Sequence, residues 1–159
     1  MKAAEIMTTD VVSVGPETTT RTIAKLLNAR GISAVPVVDA AGTPIGMVSE
    51  GDLMGRDEAD RVARRDWWLT LLAEGEPLSP LFLATLRAPE RTAREVMTSP
   101  VITVDEEAEL AAIAGLLTTQ RIKRVPVVRE GRIVGIVSRA DVVRALMNSD
   151  AFSGRARAA

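Results

Sequence analysis

The sequence predicts an α/β (α+β) fold made of two β-α-β-β-α repeats with a helical insert between them. Three observations support this prediction. The chain repeats itself at an offset of about 90 residues, and each copy alternates β-branched runs with helical periodicity. In addition, 47% of the 159 residues are apolar while only 3% are aromatic. We therefore expect a sizeable core made mainly of aliphatic side chains.

The repeat becomes visible when the residues from Ala3 onward are aligned with those from Ala93 onward. About 20 of roughly 50 aligned positions are identical. Residues 35–38 match residues 125–128, and residues 46–52 match residues 135–141 with Gly, Val, Ser and Asp at the same places. The predicted boundaries are 1–55 for the first repeat, 56–91 for the insert, 92–148 for the second repeat and 149–159 for a flexible tail.

Each repeat begins with a predicted strand and a predicted helix. The first strands are expected at Val11–Val14 and Val101–Val104, where β-branched residues alternate. The helices that follow are indicated by apolar residues spaced three and four apart, among them Ile23 and Leu27 in the first copy and Ile113 and Leu117 in the second.

A hairpin and a second helix complete each repeat. Buried strands are expected at residues 35–39 and 125–129, and their partner strands at residues 45–48 and 133–137. Ser49 and Ser138 follow the partner strands, where a helix needs an N-terminal cap. We therefore expect the last helix of each repeat to begin directly after these serines.

The insert is expected to be helical from Arg56 to Ala73 and to start a second short helix after Ser79-Pro80. Trp67 and Trp68 are the only tryptophans of the chain. Because neighbouring residues of a helix cannot share one face, one ring could pack in a core while the other marks a partner surface. Packing of both within the core is the simpler alternative.

Composition excludes several classes of function. The formal charge of −1 does not suggest a nucleic-acid-binding surface. The chain has no Cys, His or Tyr, which excludes disulfides, Cys/His zinc sites and a Ser-His-Asp triad. We find no apolar stretch long enough for a signal peptide or a membrane span, so we expect a cytoplasmic location.

Two copies of one ordered motif set are similar to a known family. The order is Met-Thr-x-x-Val, then Ile-x-x-Val-Pro-Val-Val, then Gly-x-Val-Ser-x-x-Asp. This set resembles the CBS domain family over both repeats, whereas the insert lies outside the resemblance. The resemblance implies that the two repeats pack through their sheets with pseudo-two-fold symmetry. It also implies clefts that bind AMP, ADP, ATP, NAD or S-adenosylmethionine.

The resemblance further implies a protein that senses its ligand and is not an enzyme. We expect no obligatory cofactor, although Mg²⁺ could accompany ATP. Such pairs of repeats commonly form homodimers, so a homodimer is expected here. Because the sequence contains no effector domain, we expect an effector protein to act in trans.

The Ser-x-x-Asp elements are the main candidate ligand site. Amides at a helix N-terminus suit a phosphate, and a carboxylate can accept hydrogen bonds from both ribose hydroxyls. In the family the Asp contacts ribose and the Ser lies near phosphate, which by position gives Asp52, Asp141, Ser49 and Ser138. The alternative is that these residues only cap their helices.

The residues at the start of the buried strands are expected to complete each cleft. The resemblance places the ribose Asp of one repeat opposite the strand start of the other. Asp52 is therefore expected to face Lys123 and Arg124, which could neutralise several phosphates. Asp141 is expected to face Ser33 and Ala34, a smaller and neutral pair. Alternatively, Lys123 and Arg124 are simply solvated on a loop.

The segments that follow each Met-Thr occupy the family's adenine-edge position. Their candidate residues are Thr9, Val11, Val12, Ser99, Val101 and Ile102. For Val12 and Ile102, packing in a strand core is an equally good interpretation. Arg139, at the start of the last helix, is a further candidate for phosphate contact.

The sequence thus predicts an adenine-nucleotide-binding regulatory module that changes conformation or assembly when its ligand binds. The alternative is a ligand-independent dimerisation or interaction scaffold acting through Trp67 and Trp68.

Overall fold

The structure is a computed structural model, and it describes residues 1–53 and 90–149. The described chain forms two compact units. The second-repeat unit contains Met1–Val11, Ala41–Pro44 and the described residues from Ile102 onward. The first-repeat unit contains Val12–Ala40 and the described residues of Ile45–Val101. Both units mix helices with a small sheet, which confirms the predicted α+β class.

The first-repeat unit packs one long helix against a two-stranded sheet. Its elements are α2 (Thr20–Arg30), β1 (Ala34–Val38), β2 (Pro44–Ser49), α3 (Glu50–Leu53) and α4 (Ala93–Val96). The Thr19 hydroxyl accepts a hydrogen bond from the Thr22 amide and starts α2. Gly31, in the left-handed region with φ of 62°, ends it. The core of this unit includes Ile23, Leu27, Val35, Val37 and Val48.

The second-repeat unit has a three-stranded sheet in the order β3-β4-β5. Its elements are α1 (Ala3–Ile6), β3 (Val104–Asp105), α5 (Leu110–Thr119), β4 (Arg124–Arg129), β5 (Arg132–Ser138) and α6 (Arg139–Asn148). Strands β4 and β5 form an antiparallel hairpin with an irregularity between Val127 and Val128. Its core includes Ile113, Leu117, Val125, Val127 and Val137, matching the first core position for position. The predicted hairpins and long helices are therefore confirmed in both units.

Helices α1 and α4, which we call the lead-in helices, each pack in the unit built mainly by the other repeat. Ala3 of α1 is fully buried in the second-repeat core, and its amide donates to the carbonyl of Ala108 at 2.8 Å. Ala93 of α4 is fully buried in the first-repeat core, and its amide donates to the carbonyl of Thr18 at 2.7 Å. Each compact unit therefore combines most of one repeat with the lead-in helix of the other repeat.

A methionine after each lead-in helix lies on a glycine of the sheet. A Cβ atom built on Gly135 of β5 would be 2.3 Å from the Met7 sulfur, and one built on Gly46 of β2 would be 2.5 Å from the Met97 sulfur. Only a residue without a side chain leaves room for these methionines. The Met and Gly of the repeated motif are thus packing partners.

The predicted first strands are wrong in length. Val11–Val14 forms only a single parallel bridge, from Val14 to Val37. In Val101–Val104 only the last residue belongs to a strand, since β3 comprises Val104 and Asp105. The physical reason is that each segment passes from one compact unit to the other, between Val11 and Val12 or between Val101 and Ile102. Pairing with the sheet of the next unit therefore starts only at the far end of each segment, at Val14 or Val104.

Predictions for the insert and the tail lie outside the described residues. This holds for 56–89 of the predicted insert, including Arg56–Ala73, Ser79-Pro80, Trp67 and Trp68, and for residues 150–159 of the predicted tail. Along the described ranges 1–53 and 90–149, no helix combines the length and apolarity that crossing a bilayer requires.

We predict that the ion pair of Glu106 and Arg129 makes unfolding pH-dependent. Both guanidinium hydrogen bonds from Arg129 go to the Glu106 carboxylate, whose side chain is 16% exposed. These hydrogen bonds, together with the positive charge, hold the pKa of Glu106 below its ordinary value. A lowered carboxyl pKa stabilises the fold above the unfolded pKa, about 4.3, and the effect is lost as pH falls through the folded pKa.

Glu106→Gln should therefore lower the free energy of unfolding at pH 7 but not near pH 2, as measured by urea titration at both pH values. The Asp10→Asn variant, which removes an exposed carboxylate, is the control. An equal deficit for Glu106→Gln at both pH values would contradict the prediction.

Candidate functional site

The Ser138–Asp141 element joins β5 to α6 through reciprocal hydrogen bonds. The Ser138 hydroxyl accepts from the Asp141 amide at 3.2 Å. The Asp141 Oδ2 atom accepts from the Ser138 amide at 2.8 Å and from its hydroxyl at 2.7 Å. This is a capping box, so the capping interpretation of these residues is confirmed. The box fixes the carboxylate through one oxygen and leaves Oδ1 outside it.

The Ser49–Asp52 element repeats this arrangement in the first-repeat unit. Asp52 Oδ2 accepts from the Ser49 amide at 2.9 Å and from its hydroxyl at 3.0 Å. The Ser49 hydroxyl accepts from the Asp52 amide at 3.3 Å. Both carboxylates are half-buried. Each unit therefore holds one carboxylate in a fixed orientation where a strand ends and a helix begins.

The predicted adenine-edge segments start beside these carboxylates. Thr8 and Ile136 exchange backbone hydrogen bonds of 2.9 and 3.0 Å, two residues before Ser138 on β5. Thr98 and Met47 exchange bonds of 2.9 and 3.1 Å, two residues before Ser49 on β2. Within each unit, the segment after Met-Thr is therefore attached to the strand that ends at the Ser-x-x-Asp element.

The individual candidates of these segments differ in their surroundings. Thr9 and Ser99 are exposed, and the Ser99 hydroxyl donates to the carbonyl of Ile45 at 3.1 Å. Val11 and Val101 are half-buried. Val12 packs against the first-repeat core and Ile102 against the second-repeat core, although neither residue lies in a strand.

The strand-start residues lie next to the Ser-x-x-Asp element of their own unit. The Arg139 amide donates to the carbonyl of Lys123 at 2.9 Å, and the Glu50 amide donates to that of Ser33 at 3.0 Å. Lys123 is exposed, Arg124 and Ser33 are half-buried, and Ala34 is buried. The expected pairs, Asp52 with Lys123 and Arg124 and Asp141 with Ser33 and Ala34, join residues of different units. They stay predictions.

Two arginines of α6 take positions that the sequence reasoning did not anticipate. The Arg139 guanidinium donates to the carbonyls of Ile122 at 2.8 Å and Leu117 at 3.4 Å, so it binds the C-terminal end of α5. Its contact with phosphate stays a prediction. Arg144 donates to Asp141 Oδ1 at 3.1 Å. The spacing of three residues within a predicted helix was the signal that could have found this pair.

Within residues 1–53 and 90–149, no three carboxylates are grouped closely enough to hold a metal ion. The arrangement therefore offers hydrogen-bond acceptors, helix N-terminal amides and neighbouring basic side chains. These groups are suited to binding a polyhydroxylated anion.

Comparisons with known proteins identify relatives of both repeats. A family model described as "CBS domain" matches residues 3–58 and 93–148. The chain is 29% identical to the CBS domain of a CBS domain containing membrane protein from Sphaerobacter thermophilus, with a TM-score of 0.70 and coverage of 91% of this chain and 86% of that one.

Two Arabidopsis thaliana proteins are also similar. The structure of CBSX2 in complex with AMP is 25% identical, with a TM-score of 0.68 over 92% of this chain and 96% of that one. CBSX1, a chloroplastic CBS domain-containing protein, is 30% identical over 87% of this chain and 60% of its own length. The chain spans 62%, 31% and 60% of the lengths of the first three curated relatives it matches.

Proposed function

The chain belongs to the CBS domain family and carries two CBS domains in tandem, and from this premise we propose that it is a regulatory module that binds an adenosyl ligand. The proposed ligands are AMP, ADP, ATP, NAD or S-adenosylmethionine, with Mg²⁺ accompanying ATP. Binding would change the conformation or assembly of the module. The chain spans only part of the first three curated relatives that it matches. The activity and partners of a longer protein that contained this chain would therefore also be proposals.

One observation carries the proposal: each unit presents a carboxylate that is already oriented by its own serine. Two hydrogen bonds from Ser138 fix Oδ2 of Asp141, and two from Ser49 fix Oδ2 of Asp52. A ribose brings two adjacent hydroxyl donors, and a preoriented carboxylate can accept from them without losing side-chain entropy on binding. The similarity to CBSX2, whose structure contains AMP, supports this choice of ligand.

The surroundings of Asp141 favour a ligand with a phosphate. At the start of the ten-residue helix α6, the Arg139 amide donates to the carbonyl of the exposed Lys123 and the Asp141 amide donates to the Ser138 hydroxyl, so a phosphate here would rely mainly on the Lys123 ammonium. Helix N-termini attract anions, and basic side chains strengthen the contact. The adenine would lie along the segments that contain Thr9 and Ser99.

We propose that the ligand is sensed and not converted. The chain contains no histidine, which is the commonest general base, and the serine hydroxyls of both elements serve as caps. Incubation with ATP followed by nucleotide chromatography is expected to return ATP unchanged. We also propose a homodimer, an effector protein that acts in trans and a cytoplasmic location. These three points rest on the family alone.

Ligand binding is tested by thermal and urea unfolding with AMP, ATP, NAD and S-adenosylmethionine. A ligand at 100 times its dissociation constant should raise the free energy of unfolding by about 2.7 kcal/mol. The matched control is 2′,3′-dideoxyadenosine monophosphate, which keeps the base and phosphate but lacks both hydroxyls. We expect the control to stabilise much less than AMP at the same concentration.

A complete lack of stabilisation by these ligands would instead favour the interaction scaffold. That alternative relies on Trp67 and Trp68, which lie outside the described residues, and it stays a prediction.

A further inference from the structure

The second carboxylate oxygen of Asp141, Oδ1, already accepts a hydrogen bond from an arginine. Ser138 engages Oδ2, and the Arg144 guanidinium donates to Oδ1 at 3.1 Å. The two side chains differ in exposure, since Asp141 is 11% exposed and Arg144 is 70% exposed. The carboxylate is therefore held in place, whereas the arginine can leave for water at little cost.

At the position that corresponds to Arg144, the first repeat has a glycine. Asp52 matches Asp141, and the residue three positions after Asp52 is Gly55, which has no side chain. Asp52 Oδ2 is held by Ser49 in the same way as Asp141 Oδ2 is held by Ser138. The two elements are thus alike in their serine contacts, and their sequences differ at the position of Arg144.

We propose that Arg144 is a specificity-determining residue that competes with the ribose of an adenosyl ligand for Oδ1 of Asp141. The proposal rests on the proposed function and adds that the two carboxylates bind unequally. A ribose can take Oδ1 only when Arg144 releases it. Because exposed ion pairs are weak, this competition lowers affinity at Asp141 by about two- to five-fold.

Adenosine is the sharpest probe because it is uncharged and has no phosphate with which Arg144 could form a new contact. Its binding is measured by calorimetry in an Asp52→Asn background, which weakens the other carboxylate. Adding Arg144→Gln should raise adenosine affinity about two- to five-fold. The matched control is Arg132→Gln, which removes an exposed arginine at the opposite end of β5 and should leave affinity unchanged.

Ionic strength provides an independent measurement. Salt screens the exposed pair of Arg144 and Asp141, so adenosine affinity in the Asp52→Asn background should rise between about 0.02 and 0.5 M salt. With Arg144→Gln this rise should disappear. The capping box is not altered by Arg144→Gln, since it uses only Oδ2.

The outcomes separate this inference from the proposed function. If adenosine binds but Arg144→Gln leaves its affinity unchanged or lowers it, the competition is refuted while the proposed function stands. If neither adenosine nor AMP binds the unmodified protein, the proposed function fails and the inference fails with it.

Discussion

Replacing both Asp52 and Asp141 by asparagine is expected to remove most of the stabilisation that AMP gives the protein. Hydrogen bonds to a charged group contribute about 1.5–3 kcal/mol, so loss of the charge should weaken binding about 10- to 150-fold. At an AMP concentration of 100 times the original dissociation constant, stabilisation should fall from about 2.7 to about 0.3–1.3 kcal/mol. Urea unfolding with and without AMP measures this difference.

The asparagine variants are chosen because they keep the caps. An amide oxygen can still accept from the Ser49 or Ser138 amide and hydroxyl, the contacts that Oδ2 makes now. Because the caps stay but lose their negative charge beside a helix N-terminus, stability without ligand should fall by about 0.3–1 kcal/mol per site. Glu130→Gln is the matched control, because this carboxylate is exposed in the turn between β4 and β5 and lies outside the candidate ligand segments. Full AMP stabilisation in the double variant would show that these carboxylates do not bind the ribose.

Gly135→Ala is expected to destabilise the protein by about 1–3 kcal/mol, as overpacking of a well-packed site does. The new Cβ would lie 2.3 Å from the sulfur, 2.7 Å from Cγ and 3.0 Å from Cβ of Met7. Rotation of the thioether alone cannot relieve all three contacts, so the Met7 backbone must shift as well. Urea unfolding monitored by circular dichroism measures the loss.

Two further variants identify the cause of this loss. Gly115→Ala, within α5, places a Cβ that meets, beyond its own helix backbone, no atom of the described residues within 4 Å, and it should stabilise the protein by about 0.5–1 kcal/mol. Adding Met7→Ala to Gly135→Ala removes the sulfur and Cγ contacts and leaves only the Cβ contact of 3.0 Å, so the double variant should lose less than the sum of the single losses. The interpretation fails if Gly135→Ala is as harmless as Gly115→Ala.

The regular elements were predictable because their signals are local. The periodicity around Ile23 and Ile113 and the β-branched runs at 35–38 and 125–128 depend on neighbours within one helix or strand. The capping box of Ser138 and Asp141 is local as well, since its partners are three residues apart. Local chemistry therefore sufficed for most of the fold and for the serine contacts of the candidate site.

The packing of the lead-in helices was not predictable because the two copies are nearly interchangeable. Residues 3–8 and 93–98 share Ala, Glu, Met and Thr at the same positions, and both cores offer a glycine for the methionine. Sequence alone cannot say which copy packs on which sheet. The contact of Arg144 with Asp141 was missed for another reason, since a long exposed side chain has several rotamers of similar energy.

Each lead-in helix packs in the unit built mainly by the other repeat, and this packing affects the order in which the chain can fold during synthesis. Thr8 is synthesised more than a hundred residues before Ile136, the residue with which it pairs. Contacts between residues so distant in sequence form slowly, because the intervening chain loses conformational entropy before the contacts stabilise the fold. The core that contains Ala3 and Val137 is therefore completed only after both hairpins have been made, whereas Ala93 is synthesised after the hairpin on which it packs.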